Sequence, residues 1–198
     1  MKPKDEQKHH RILTAAITIL ARGGLANFST TKVAKLAGVP QSNLYIYFAN
    51  KQALLDAVYV TTVHQQSVAV TAALEPQASL VTQLATSVTA LYRFATAYPE
   101  AAGVIRLLTA DQQFKLMTTA KAEDPANQQI QTLLATGVRQ GILRPGGLNL
   151  LRYFLTDPVY HYAELPQSDE AGLPVLTQMI LGAVLQPDVY QQWVLNQR

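Results

Sequence analysis

Residues 29–48 read STTKVAKLAGVPQSNLYIYF. Ser29 and Thr30 each offer a side-chain oxygen to backbone N–H groups, so either can cap a short helix over residues 31–37. Val33, Ala34 and Ala37 form its inward face, with Leu36 beside them. Ala34 and Ala37 are small, so another helix can approach closely. Gly38 ends the helix and residues 38–40 make a tight turn. Gln41 then opens a further short helix that runs to about Tyr47, and Leu44 and Phe48, four residues apart, face inward. Two helices joined by a short glycine-containing turn are the helix-turn-helix pattern.

The flanking sequence supports this arrangement. Upstream, Ile12, Ala15, Ala16, Ile19, Leu20 and Gly23 fall on one face of a helix over residues 6–23, which Gly23-Gly24 stops. Leu25 and Phe28 are apolar residues suited to a core. Downstream, Asn50 is suited to cap a helix from Lys51. Leu54, Leu55, Val58 and Thr62 continue its inner side, and no breaker appears before Pro76. Helical spacing recurs over residues 78–98, 100–109, 111–122, 126–142, 148–164 and 171–185, with a last turn near 188–194. The breaks are Pro99, Asp124-Pro125 and Pro145-Gly146-Gly147, with Pro166 and Pro174 near the later ends. No run alternates as a strand would. The fold class is all-α, with about nine helices.

Composition limits what such a chain can do. Its 198 residues fit one domain, or a small head on a larger body. Apolar residues make up 48%, enough for a sizeable core, while charged residues make up 15%, below the roughly 25% of an average domain. Sparse charge is consistent with surface covered by a partner. The absence of cysteine excludes disulfides, thiolate metal sites and cysteine nucleophiles. No apolar run reaches the roughly 18 residues of a membrane helix, and no secretory leader pattern opens the chain, so a soluble, cytoplasmic protein is expected. Charge is unevenly placed. Residues 1–50 carry seven bases against two acids, a local charge of +5, whereas residues 51–198 carry nine bases against eleven acids, −2. A basic head on a weakly acidic body suits a nucleic-acid binder with a second function.

The stretch from Ile12 to Val58 resembles the head of the tetracycline-repressor (TetR) family. The matching segments are ILTAAITILARGG, STTKVAKLAGV and LYIYFANKQALLDAV, and GVRQGILR at Gly137–Arg144 is a weaker echo. The resemblance implies a three-helix DNA-binding head, residues 1–50, and a helical ligand-binding and dimerisation body, residues 51–198. It also implies a homodimeric repressor released from a palindromic double-stranded operator by a small molecule.

A recognition helix enters the major groove with its first residues at base edges. Gln41, Ser42, Asn43 and Tyr45 are the candidates here: Gln and Asn pair bidentately with adenine, and Ser serves either base type. By resemblance, Tyr47 and Lys51 contact phosphate, as do Thr30 and Thr31 at the start of the preceding helix. Pro40 departs from the family, which commonly places Ser or Thr there as the recognition-helix cap. Residues 2–11 can form a basic arm or a plain tail.

For the body, resemblance implies a dimer interface from the last two long helices. The apolar residues offered are Leu151, Phe154, Leu155, Leu176, Met179, Ile180 and Ala183, with Gly172 and Gly182 as places for close approach. Pocket candidates are Tyr92, Phe94, Tyr98, Arg106, Phe114 and Met117. His64 and His161 carry no distinct signal. A body that recruits a protein partner instead of a small molecule is the alternative. Walker, GxSxG and HExxH motifs are absent, so no enzyme and no cofactor are expected, and His9-His10 alone makes a poor metal site.

Overall fold

The computed structural model describes residues 6–111, 114 and 124–197. The helices are α1 (Glu6–Gly23), α2 (Thr30–Ala37), α3 (Gln41–Tyr47), α4 (Lys51–Ala73), α5 (Leu80–Ala97) and α6 (Pro99–Ala110), then α7 (Pro125–Arg139), α8 (Leu148–Ala163), α9 (Leu173–Val184) and α10 (Pro187–Leu195). An isolated antiparallel bridge joins Leu143 to Leu185. No helix among the described residues is long and apolar enough to cross a membrane. The expected stretch 111–122 lies almost wholly outside the described residues, as do Met117 and the start of the basic arm.

The chain divides into two compact units: residues 1–64 with 99–122, and residues 65–98 with 123–198. In the first, α1 buries Ile12, Ala16 and Leu20, and α2 packs on it through Val33, Ala34 and Ala37. Ser29 is the cap of α2, its hydroxyl accepting from the Lys32 N–H at 3.2 Å. Gly38 ends the helix at φ +66°, a backbone angle that suits residues without a Cβ. The Asn50 side chain caps α4 by accepting from the Ala53 N–H at 2.8 Å. α6 packs against α1, where the Thr18 hydroxyl donates to the Glu100 carboxylate at 2.8 Å and Arg22 stands 3.6 Å from it. Leu36, expected beside the α2 core, is exposed.

In the second unit α8 packs on α5 and on α9. Leu84, Val88, Leu91 and Phe94 meet a core that also holds Leu151, Leu155, Val159 and Tyr160, with Leu173, Ile180 and Leu181 from α9. The Arg144 N–H donates to Val184 O at 2.8 Å and the Gln186 N–H to Ile142 O at 3.0 Å, which pins the loop before α8 to the end of α9. Gly172 permits a close approach within the unit, because a Cβ there would collide with the Tyr162 hydroxyl.

Tyr160 is 1% exposed, and its hydroxyl has no hydrogen-bond partner among the described residues. Burial pushes its phenol far above its ordinary range, so it stays neutral. A buried polar group without a partner costs about 1–3 kcal/mol. Tyr160→Phe removes that group and keeps the ring, so it should raise the unfolding free energy by about 1 kcal/mol in urea denaturation. A loss of similar size would show that the hydroxyl is satisfied in solution.

Candidate nucleic-acid interface

The helix α3 has two contrasting faces. Leu44 is fully buried, and Phe48, one turn on, is also buried. On the other side Gln41 and Tyr45 form one row and Ser42 and Ile46 the next, all four exposed. Asn43 and Tyr47 are half-buried at the edge. Ile46 is 61% exposed and was not among the sequence candidates. Its signal was its place in the Ser42 row, away from the Leu44–Phe48 pair.

Several contacts set this face. The Thr30 and Tyr45 hydroxyls stand 3.4 Å apart, which ties the start of α2 to α3. Because Ser29 caps α2, the Thr30 hydroxyl is left for Tyr45. Thr31 is exposed beside it. Lys51 is exposed at the start of α4, with its ammonium 5.6 Å from the centre of the Phe28 ring, a cation–π distance. The Lys32 ammonium instead donates to Asn27 O at 3.2 Å. Pro40 precedes α3 without a side-chain cap, and the Asn43 N–H donates to its carbonyl at 2.9 Å.

His9 is a second residue that sequence reasoning did not place. Its ring stacks on Phe48 with centroids 5.2 Å apart and tilts against Tyr47 at 5.9 Å. It thus belongs to the packed head, not to a tail. Its spacing of three and seven residues before Ile12 and Ala16 was the available signal. Among the described residues no three His, Cys, Asp or Glu side chains converge as a metal site requires.

The body candidates separate between the units. Arg106, half-buried, and Phe114, buried edge-on against Tyr59 at 5.2 Å, lie in the first. Tyr92, Phe94 and Tyr98 lie in the second; Tyr92 and Phe94 are buried and Tyr98 is exposed. Phe94 and Tyr98 line a cleft of about 260 Å³ along α4 and α5. Of the interface candidates, Leu151, Leu155 and Ile180 bury their area inside the unit and Leu176 is half-buried. Phe154, Met179 and Ala183 are exposed, as are Leu150, Tyr153 and Val175. His64 and His161 are exposed.

These features define a helix-turn-helix regulator of transcription. Residues 12–58 match the family model described as bacterial regulatory proteins, tetR family. The HTH-type transcriptional regulator YdeS of Bacillus subtilis strain 168 is 29% identical over 186 residues, covering 92% of this chain and 90% of that protein. Other relatives from that bacterium are matched over about 30% of their length. A TetR family transcription regulator from Marinobacter aquaeolei VT8 superposes with a TM-score of 0.78 at 23% identity, covering 94% and 100% of the two chains. FadR from Bacillus subtilis, solved in complex with stearoyl-CoA, gives 0.66 at 17%, covering 87% and 97%. Residues 12–58 thus match a tetR-family head, and the chain as a whole shares the fold of solved TetR family regulators.

An exposed ion pair in the second unit gives a pH-dependent readout. The Arg93 guanidinium donates to both oxygens of Glu170, at 2.8 and 3.0 Å. That hydrogen bond, aided by charge attraction, holds the Glu170 carboxyl below the usual range and raises Arg93 above its own. A depressed carboxyl value means that the pair contributes fully above the ordinary glutamate range and is lost as pH falls through the lowered value. Followed by carboxyl-carbon NMR, Glu170 should titrate below an unpaired glutamate, and Arg93→Gln should return it to the ordinary range. An unchanged midpoint in Arg93→Gln would remove the pair from solution.

Proposed function

We propose that this protein is a homodimeric repressor whose two heads read a palindromic operator, and that a small-molecule effector releases it. The observation that carries the reading is the outward face of α3, where Gln41, Ser42, Tyr45 and Ile46 stand in adjacent rows opposite the buried Leu44. Gln41 and Asn43 suit adenine, Ser42 suits either base type, and Tyr45 and Ile46 offer carbon surface to a thymine methyl. Thr30, Thr31, Tyr47 and Lys51 contact phosphate and fix the register. The Thr30–Tyr45 contact supports placing both roles on one surface.

Dimerisation through the outer faces of α8 and α9 is supported by their exposed apolar side chains. Phe154 is 40% exposed and Met179 69%, with Leu150, Tyr153 and Val175 nearby in sequence. Such residues are rarely left together on the surface of a monomer. A palindromic site needs two heads at a set spacing. An effector that favours another spacing of the heads antagonises operator binding, and the operator antagonises the effector by the same factor. The match of residues 12–58 to the tetR family model supports this mode of release, and the similar FadR structure holds a small molecule, stearoyl-CoA. Such a regulator works in the cytoplasm, where its operator is.

Operators selected from a random duplex pool, followed by gel shift, test the head. Gln41→Ala should lose about 1–3 kcal/mol of discrimination at one base position. Lys51→Ala should weaken all sequences and reduce the salt slope by about one. Undiminished affinity and preference in both variants removes α3 from the interface. Phe154→Glu with Met179→Glu should convert the dimer to a monomer in light scattering, and a persisting dimer places the interface elsewhere.

A further inference from the structure

The cleft in the second unit has a chemical character of its own. Its walls include Ala69 and Ala73 from α4, Ala90 and Phe94 from α5, and Tyr98 just after it, which are mostly carbon surface. Arg93 is the charged residue among those lining it. Its fork is engaged by Glu170, which belongs to the 3-10 turn Glu170–Gly172 leading into α9. The pair is solvated, with side chains 64% and 56% exposed, and exposed pairs contribute little net stability.

A guanidinium fork donates to any carboxylate of suitable approach in the same two-bond geometry. A ligand carboxylate that replaces Glu170 therefore keeps both charge-assisted hydrogen bonds. It adds something Glu170 cannot supply if an alkyl or aryl tail follows the carboxylate along the alanines and onto Phe94 and Tyr98. Burial of that tail favours the exchange. We infer that this cleft is a site for an amphipathic carboxylate, which displaces Glu170 from Arg93 and lays its tail along α4 and α5. The inference rests on the effector-released reading above and names the chemical class of the effector.

The exchange acts on α9. Glu170 follows Asp169, whose carbonyl accepts from the Tyr162 hydroxyl at 3.0 Å and whose N–H donates to the same oxygen at 3.2 Å. Tyr162 in turn packs on Tyr92, next to Arg93 in α5, at 5.7 Å. Loss of the Arg93 bond thus frees one tie on the turn and leaves the Tyr162 contact in place. The freed turn is the lead-in to the helix that bears Val175, Met179 and Ala183 on its outer side.

Isothermal titration of the full-length protein with octanoate and n-octanol at low ionic strength tests the site. Octanoate should bind about tenfold more tightly than n-octanol, because the tail is shared and only the anion engages Arg93. Arg93→Gln should bring octanoate down to the level of n-octanol. Glu170→Gln should tighten octanoate several-fold and leave n-octanol unchanged, because it removes the internal competitor. Ala73→Trp, a substitution at an exposed position that fills the cleft, should weaken both probes, with circular dichroism confirming the fold. Equal affinity for the two probes, weaker octanoate binding in Glu170→Gln, or no binding of either probe overturns the assignment. So does octanoate binding that survives both Arg93→Gln and Ala73→Trp. Octanoate that binds as expected yet leaves operator affinity untouched supports the site and refutes effector release, so the two failures are distinct.

Discussion

A helix of seven residues does not persist alone in water, because its few hydrogen bonds do not offset the cost of nucleation. α3 is such a helix, and the head depends on how it is held. Leu44 supplies the anchor: it is fully buried, with Phe48 buried one turn later and His9 stacked on that ring. Fixing one side of α3 fixes the other. Gln41, Ser42, Tyr45 and Ile46 are presented outward as a consequence of what Leu44 buries, and the Thr30–Tyr45 contact adds a further tie.

The same economy appears in the polar groups around α3. Ser29 caps α2, so Thr30 is left to meet Tyr45. Asn50 caps α4, where Lys51 is exposed above Phe28. Each cap satisfies backbone donors locally and leaves the adjacent side chain for the surface. Lys32 is the contrast, since its ammonium is engaged by a loop carbonyl and is thereby less available to a polyanion. Lys51, by contrast, is exposed at a helix start with its ammonium over the Phe28 ring.

The second unit follows a different logic. Its helices bury apolar faces on one another and keep exposed carbon surface on α8 and α9. One ionic link between distant elements, Arg93 with Glu170, sits in solvent beside a carbon-lined cleft. A weak exposed pair is easily exchanged, whereas a buried pair would resist. The link from α5 to the lead-in of α9 is for that reason a suitable place for a ligand to act.

Near-neighbour chemistry was legible in the sequence. The caps at Ser29 and Asn50, the turn at Gly38, the Leu44–Phe48 spacing and the starts and ends of most helices depend on residues within a few positions of one another. The resemblance over Ile12–Val58 rests on that same local pattern. Tertiary structure alone decided what distant residues share. It brought His9 to Phe48, Glu100 to Thr18 and Arg93 to Glu170, pairs with no common local signal. It also chose between apolar rows. Along α8, Leu150, Leu151, Phe154 and Leu155 are all apolar, so periodicity cannot tell the inner side from the outer; packing on α5 buried Leu151 and Leu155 and left Leu150 and Phe154 exposed. A helix that is apolar on both sides carries no amphipathic signal, and its orientation is set by its neighbours.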